Sequence, residues 1–293
     1  MEKALNVTQS KVLATEFTFK RTKRIRVRKL DKARMSMRIL VLALLIITVL
    51  TFVFMDFRGM QFSEALPQFT NNLQTIFLQP RLSYRVEWNS IILGREGIFL
   101  TVGLAVISTI AGAIISFFLA LFAAKNLSPK PVTTVIRSLM SLTRAIPAIV
   151  WVLIFSVSIG MGAEAAIVGL VFQGMAFLVK AYSETIEEID AGVIEALKAS
   201  GATWWQIVFQ AVLPSCLTAI LSWTFIRVES NFAHAVAVGA AAGVGGIGVQ
   251  LVQSGSMNFD MREVGVIVYI LIAVSIVFEL ISIRLRSRLS SNQ

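Results

Sequence analysis

The sequence holds a single cysteine, Cys216, a single histidine, His234, and only 17 acidic residues against 27 Lys and Arg. One cysteine forms no internal disulfide, and at the head of an apolar run it reads as a small apolar filler. One histidine supplies no zinc cluster. A G-x-x-x-x-G-K-[ST] loop is missing, so the chain is not expected to hydrolyse ATP by itself. No Ser-His-Asp or Cys-His pair has a plausible context, so no catalytic residue, no metal ligand and no cofactor is assigned. Nothing points to a nucleic-acid partner. Gly243, Gly245 and Gly248 in "AAAGVGGIGVQL" do spell G-x-G-x-x-G. That spacing signals a dinucleotide turn only after a strand and before a helix in a βαβ unit.

Charge is scarce altogether. It makes up 15% of 293 residues, against about 25% in a soluble domain. Hydrophobic residues reach 56% and mean hydropathy is +0.76. The cations are also clustered: ten of the 27 lie between Lys20 and Arg38, and Arg284, Arg286 and Arg288 close the chain. Between the clusters run apolar stretches long enough to cross a bilayer, which takes about 20 helical residues. A polytopic, all-α integral membrane protein follows, and a Rossmann unit has no place in it.

Six transmembrane helices are expected: 39–55, 98–124, about 145–162, about 163–180, about 215–235 and 264–283. Six crossings put both termini on one side, and Lys and Arg beside span ends mark that side as cytoplasmic. The chain divides into a basic arm (1–38), the first span (39–55), an extracytoplasmic loop (56–97), a transmembrane domain (98–283) and a basic tail (284–293). A cleaved signal peptide is the alternative at the N-terminus, but no small-residue cleavage site follows the apolar run. The arm is read as a topology signal or as a contact for anionic lipid headgroups.

The loop 183–214, "SETIEEIDAGVIEALKASGATWWQIVFQAVLP", reads as two short helices meeting at a corner. Asp190 is the N-cap of the first, and Val193, Ile194 and Leu197 share its apolar face. Gly201 is suited to the left-handed residue that ends it. Thr203 and Gln206 form a capping box for the second. Its apolar face is Trp204, Ile207, Val208 and Ala211, and Pro214 is expected to end it. Two readings stand: a lever that a partner grips to move the spans, or an interfacial pair resting on lipid with Trp204 and Trp205 as anchors.

Glu195-Ala196-Leu197, Gly201 and Leu213-Pro214 resemble the EAA loop of ABC importer permeases, with Leu197 where the family has Ala. "RAIPAIVW" at 144–151, "ESNFAHAVAVG" at 229–239 and "GVGGIG" at 243–248 resemble the phosphonate-type permeases, over roughly 98–288. The chain departs from that pattern at Ala148, where an acid is usual, and at Ala233, where Arg is usual. Both departures bear on the solute. The resemblance implies a type I ABC importer transmembrane fold in a bacterial plasma membrane. It implies that the loop docks on a separate ATPase dimer, which binds ATP and Mg. It also implies an extracytoplasmic solute-binding protein and a second permease copy, identical or related. An ion-coupled secondary transporter and a membrane scaffold are the competing classes.

Within the spans, Arg227, Glu229 and Asn231 are the polar residues to account for. A charge at a span centre costs roughly 2.5–3.5 kcal/mol, so it pairs or lines a cavity. Arg227 and Glu229, two apart, do not face each other on a helix, so each needs a partner elsewhere. Arg227 either lines a path for an anionic solute or joins a structural ion pair. Arg144 and Pro147 are expected to begin the third span, and both are candidates for the path. Gly243, Gly245, Gly246 and Gly248 are read as part of a broken, re-entrant or tightly packed segment over 236–252, serving helix packing or solute contact.

Overall fold

The computed structural model describes residues 32–54, 62–83, 87–94 and 97–290. The basic arm up to residue 31 and the last three residues of the tail lie outside the described residues. Among those described, the regular elements are all helical. They fall into two compact units, the first helix and the body from Ser63 onward.

Helix α1 (Lys32–Phe54) begins earlier than the expected span at 39, because Lys, Arg and Met are good helix formers and nothing between 32 and 39 breaks the winding. Its side chains from Met35 to Phe54 are exposed and mostly apolar.

In the body, α2 (Phe62–Leu78) and α3 (Trp88–Leu93) occupy the segment read as an outer loop. Helix α4 (Ile98–Ala123) follows the predicted second span closely. The third span is corrected. Helix α5 (Lys130–Ala145) and α6 (Ala148–Ile159) are bent by 91° at Ile146–Pro147. Proline has no N–H to give and forces Ile146 out of the helical region, where φ is −89° and ψ 125°. Twelve residues rise only about 18 Å, so α6 alone does not cross a bilayer core of about 30 Å, and a third crossing takes α5 and α6 together. Helix α7 (Ala163–Glu187) runs seven residues past the expected end, with Lys180 and Glu184 paired at 3.7 Å along its surface.

Helices α8 (Ala191–Ala199) and α9 (Trp204–Ile207) form the corner. The expected stop at Pro214 does not occur. Helix α9 passes through a π turn (Val208–Val212) directly into α10 (Leu213–Ala242). The π turn widens the winding by one residue just before Pro214, which makes room for the ring inside a helix that continues. The fifth span accordingly extends to Ala242 rather than 235. Gly243 turns the chain into α11 (Ile247–Val252), a second π turn (Gln253–Met257) and α12 (Met261–Ser290). Five of these helices are long and apolar enough to cross a membrane, or six if α5 and α6 count as one broken span.

Helix α4 lies along α7, and α10 packs against both. Close approach of α4 and α7 occurs at Gly112, opposite the backbone of Val171. Of the four apolar clusters among the described residues, two matter most for the site. One, at the corner end, joins Leu121 and Leu178 to Tyr182, Ile194, Ile207 and Val212. The other, at the glycine end, joins Leu104 and Val152 to Leu170, Ala235 and Val244.

Candidate functional site

The corner is built by local sequence signals. The Asp190 carboxylate accepts from the Gly192 N–H at 2.8 Å and starts α8. Gly201, with φ +81°, takes the left-handed conformation that a side chain would strain. Thr203 and Gln206 form the reciprocal box, with the Thr203 N–H donating to Gln206 Oε1 at 2.7 Å. Ile194 is 2% exposed and Leu197 packs beside it, but Val193 points outward, which corrects its predicted place on the apolar face. A nine-residue helix buries a narrow stripe, and i, i+3 contacts put Ile194 and Leu197 on it without Val193.

Trp204 is not a free lipid anchor. Its Nε1–H donates to the Leu127 carbonyl at 3.2 Å and its ring stacks on Phe122 at 5.5 Å. Ile207, Val208 and Ala211 are buried beneath it, whereas Trp205 is half exposed. The corner is therefore fixed to α4, α7 and α10 by its inner face. Glu195, Ala196, Gly201 and Pro214 stay exposed, and Leu213 is half-buried.

A polar clamp adds to this. Glu187, at the end of α7, accepts from the Lys125 N–H at 2.7 Å and pairs with Arg137 of α5 at 2.5 Å. Arg137 Nε–H also donates to the Ala123 carbonyl at 2.9 Å. Glu187→Gln removes the charge and keeps the shape. We expect amide hydrogen exchange over 125–137 to quicken several-fold while helix content is unchanged.

Arg227, on α10, is 4% exposed and sits between α10 and α7. Its Nη2–H donates to the side chain of Gln173, and its Cζ lies 5.6 Å from the centre of the Phe177 ring. No ion pair among the described residues includes Arg227 or Glu229, and Glu229 is half-buried. Asn231 is fully buried and donates to Thr109 Oγ1 at 2.9 Å and Ser108 Oγ at 3.3 Å, so it ties α10 to α4. Arg227 and Asn231, four apart, thus engage different neighbouring helices. His234 Nδ1 lies 2.6 Å from the Ser230 carbonyl.

Arg144 stands in the last turn of α5 and is exposed, while Pro147 caps α6. Neither begins a straight span. Arg144 instead borders a cavity of about 170 Å³ with Arg137, Lys180 and Glu184.

At the other end, Gly243 and Gly245 border a cleft of about 820 Å³ with Phe99, Met161 and Glu164. The Ile247 N–H, just past Gly246, is held by Thr101 Oγ1 at 2.9 Å. Gly248 lies against the backbone of α10 at Val236 and Ala240. This places 247–252 as a short helix folded back on α10, and 236–242 within α10 itself.

Gln173, Ser108, Thr109 and Glu187 were not singled out from sequence. A glutamine inside the apolar run "IVGLVFQGMAFLV" was the available signal for the first. Nothing in spacing links Glu187 to Arg137, fifty residues away.

The sequence profile of the family described as "Binding-protein-dependent transport system inner membrane component" matches residues 112–291. The chain is 31% identical over 191 residues to the "Phosphate-import permease protein PhnE" of Mycolicibacterium smegmatis, covering 64% of this chain and 35% of that protein. It is 31% identical over 175 residues to the "Phosphite transport system permease protein PtxC" of Stutzerimonas stutzeri, covering 59% and 62%. The chain thus spans about a third of one curated relative and under two thirds of the other. In fold it is similar to a chain of the MetNI methionine ABC transporter in an inward-facing conformation. The TM-score is 0.63 at 22% identity, over 71% of this chain and 99% of that one.

Proposed function

Because the chain belongs to the binding-protein-dependent transport system inner membrane component family, we propose that it is the permease subunit of an ATP-driven importer. It forms the passage for a small oxyanion of the phosphate, phosphite or phosphonate class. The observation that carries this reading is the corner. Exposed Glu195, Ala196 and Gly201 stand on a helix pair whose inner face is locked to three helices of the bundle. A partner that grips the exposed side moves α10 with it, since α9 and α10 are continuous.

The fuel is used elsewhere. A cytoplasmic ATPase dimer binds ATP and Mg and docks at the corner. One corner per chain calls for two permease copies, identical in the simplest case and related otherwise. The cleft beside Glu164 and Gly243 supplies a face for a solute-binding protein. The termini and corner lie in the cytoplasm of a bacterial cell, and α1 and the longer helices meet membrane lipid.

The names of the two relatives support an oxyanion, and so does Arg227, a buried cation without a counter-charge among the described residues. The test is uptake of phosphate, phosphite and methylphosphonate into proteoliposomes holding permease, ATPase and binding protein. We expect ATP-dependent accumulation of at least one anion, falling at least a hundredfold in Arg227→Gln with the complex still assembled. Accumulation that ignores ATP and follows an ion gradient overturns the reading. Uptake of methionine in place of every anion assigns the chain another solute class.

A further inference from the structure

The way Arg227 is held points past a simple structural role. A guanidinium is planar, and its Nε–H and one Nη2–H lie on the same edge, spaced to meet two oxygens of one carboxylate or phosphoryl group. Here Gln173 takes Nη2 and Nε has no partner. Of the two nitrogens on that edge one is engaged, by a neutral group, and the other is not. Gly174 borders that same edge: a Cβ there would come within 3.2 Å of Nε and 3.5 Å of Nη2. Phe177, on the same face of α7, covers the guanidinium with its ring. A carboxylate at 173 would neutralise Arg227 permanently, because a paired charge in low dielectric is hard to separate. An amide satisfies one donor and leaves the positive charge available.

We propose that Gln173 is an internal stand-in for the transported oxyanion. Its side-chain oxygen occupies one prong of Arg227 while the chain is solute-free. An oxyanion reaching the seam between α7 and α10 displaces it and takes both prongs, along the edge where Gly174 has no side chain to stand in the way. Only hydrogen bonds are exchanged. Arg227 is buried here, so the exchange requires α7 and α10 to part, and the corner is positioned to drive that motion through α10. The inference rests on the oxyanion reading of the preceding section.

The experiment uses the full complex in proteoliposomes with phosphate, phosphite and methylphosphonate, at saturating binding protein, with assembly measured by co-purification. Gln173→Glu is expected to lower uptake at least a hundredfold. Gln173→Met, which keeps the volume and removes the acceptor, is expected to lower uptake less than Gly174→Ala does, by a few-fold, because the oxyanion itself supplies the acceptor that the amide gave up. Gly174→Ala, which covers the edge, is expected to fall about tenfold. A mere tether gives the opposite order, with Gln173→Glu at or above wild type and Gln173→Met well below it. That order overturns the proposal. If Gln173→Glu does not assemble, Gln173→Met must still exceed Gly174→Ala, and the reverse ranking is equally fatal. Normal uptake in Arg227→Gln, or no uptake of any of the three anions by wild type, overturns the oxyanion reading and this inference with it. Loss in Arg227→Gln beside wild-type behaviour in Gln173→Glu overturns the exchange alone.

Discussion

Gly248→Ala is expected to cut the yield of monodisperse, membrane-inserted protein at least tenfold. The added Cβ falls on the Val236 carbonyl oxygen and 2.7 Å from the Ala240 nitrogen. Both are backbone atoms of α10 and cannot swing aside as a side-chain tip does. Overpacking costs about 1–3 kcal/mol where side chains give way, and more where they do not. That is a large share of the roughly 5–15 kcal/mol that holds a typical domain together. Gly103→Ala is the control, since a Cβ there meets nothing within 4 Å. Thermal unfolding in detergent should show a lower midpoint for the first variant and none for the second. Equal midpoints would remove α11 from the packed body.

The second large effect belongs to Ile194→Ala. Ile194 is the buried residue of α8 and inserts among Tyr182, Ile186 and Ile207. Truncating a buried isoleucine costs about 2–5 kcal/mol. The loss falls on a nine-residue helix with few other attachments, so the helix detaches locally while the bundle remains folded. ATP-driven uptake should drop more than tenfold, with the melting midpoint of the long helices little changed. Glu195→Ala, on the exposed side, should leave stability intact and weaken only association with the ATPase. If Ile194→Ala transports normally, force does not enter through the inner face of α8.

How far the sequence could be read depended on the range of the interaction responsible. Asp190, Gly201 and the Thr203–Gln206 box act within four residues, so the corner was legible before any coordinates. Helix α4, uncharged from 98 to 123, was equally plain. The bend at Pro147 was half legible. A proline signals a break, but the 91° angle depends on what α6 packs against, and that is α7 and α10. Pro214 misled for the reverse reason. Its position was read as a stop, although a helix that widens by one residue accommodates it. The partners of Arg227 and Asn231 are 54 and over 120 residues away along the chain, and apolar periodicity carries no record of such pairs.

The π turn at Val208–Val212 has one further implication. Its closing bond runs from the Leu213 N–H to the Val208 carbonyl, five residues back instead of four. It therefore acts as one surplus residue in an otherwise regular winding. With 3.6 residues per turn, one residue is worth about 100° of azimuth. Everything beyond it on α10 is aimed about 100° away from where uninterrupted coiling would send it. Arg227 looks toward α7, and Asn231 toward α4, because of that single phase offset.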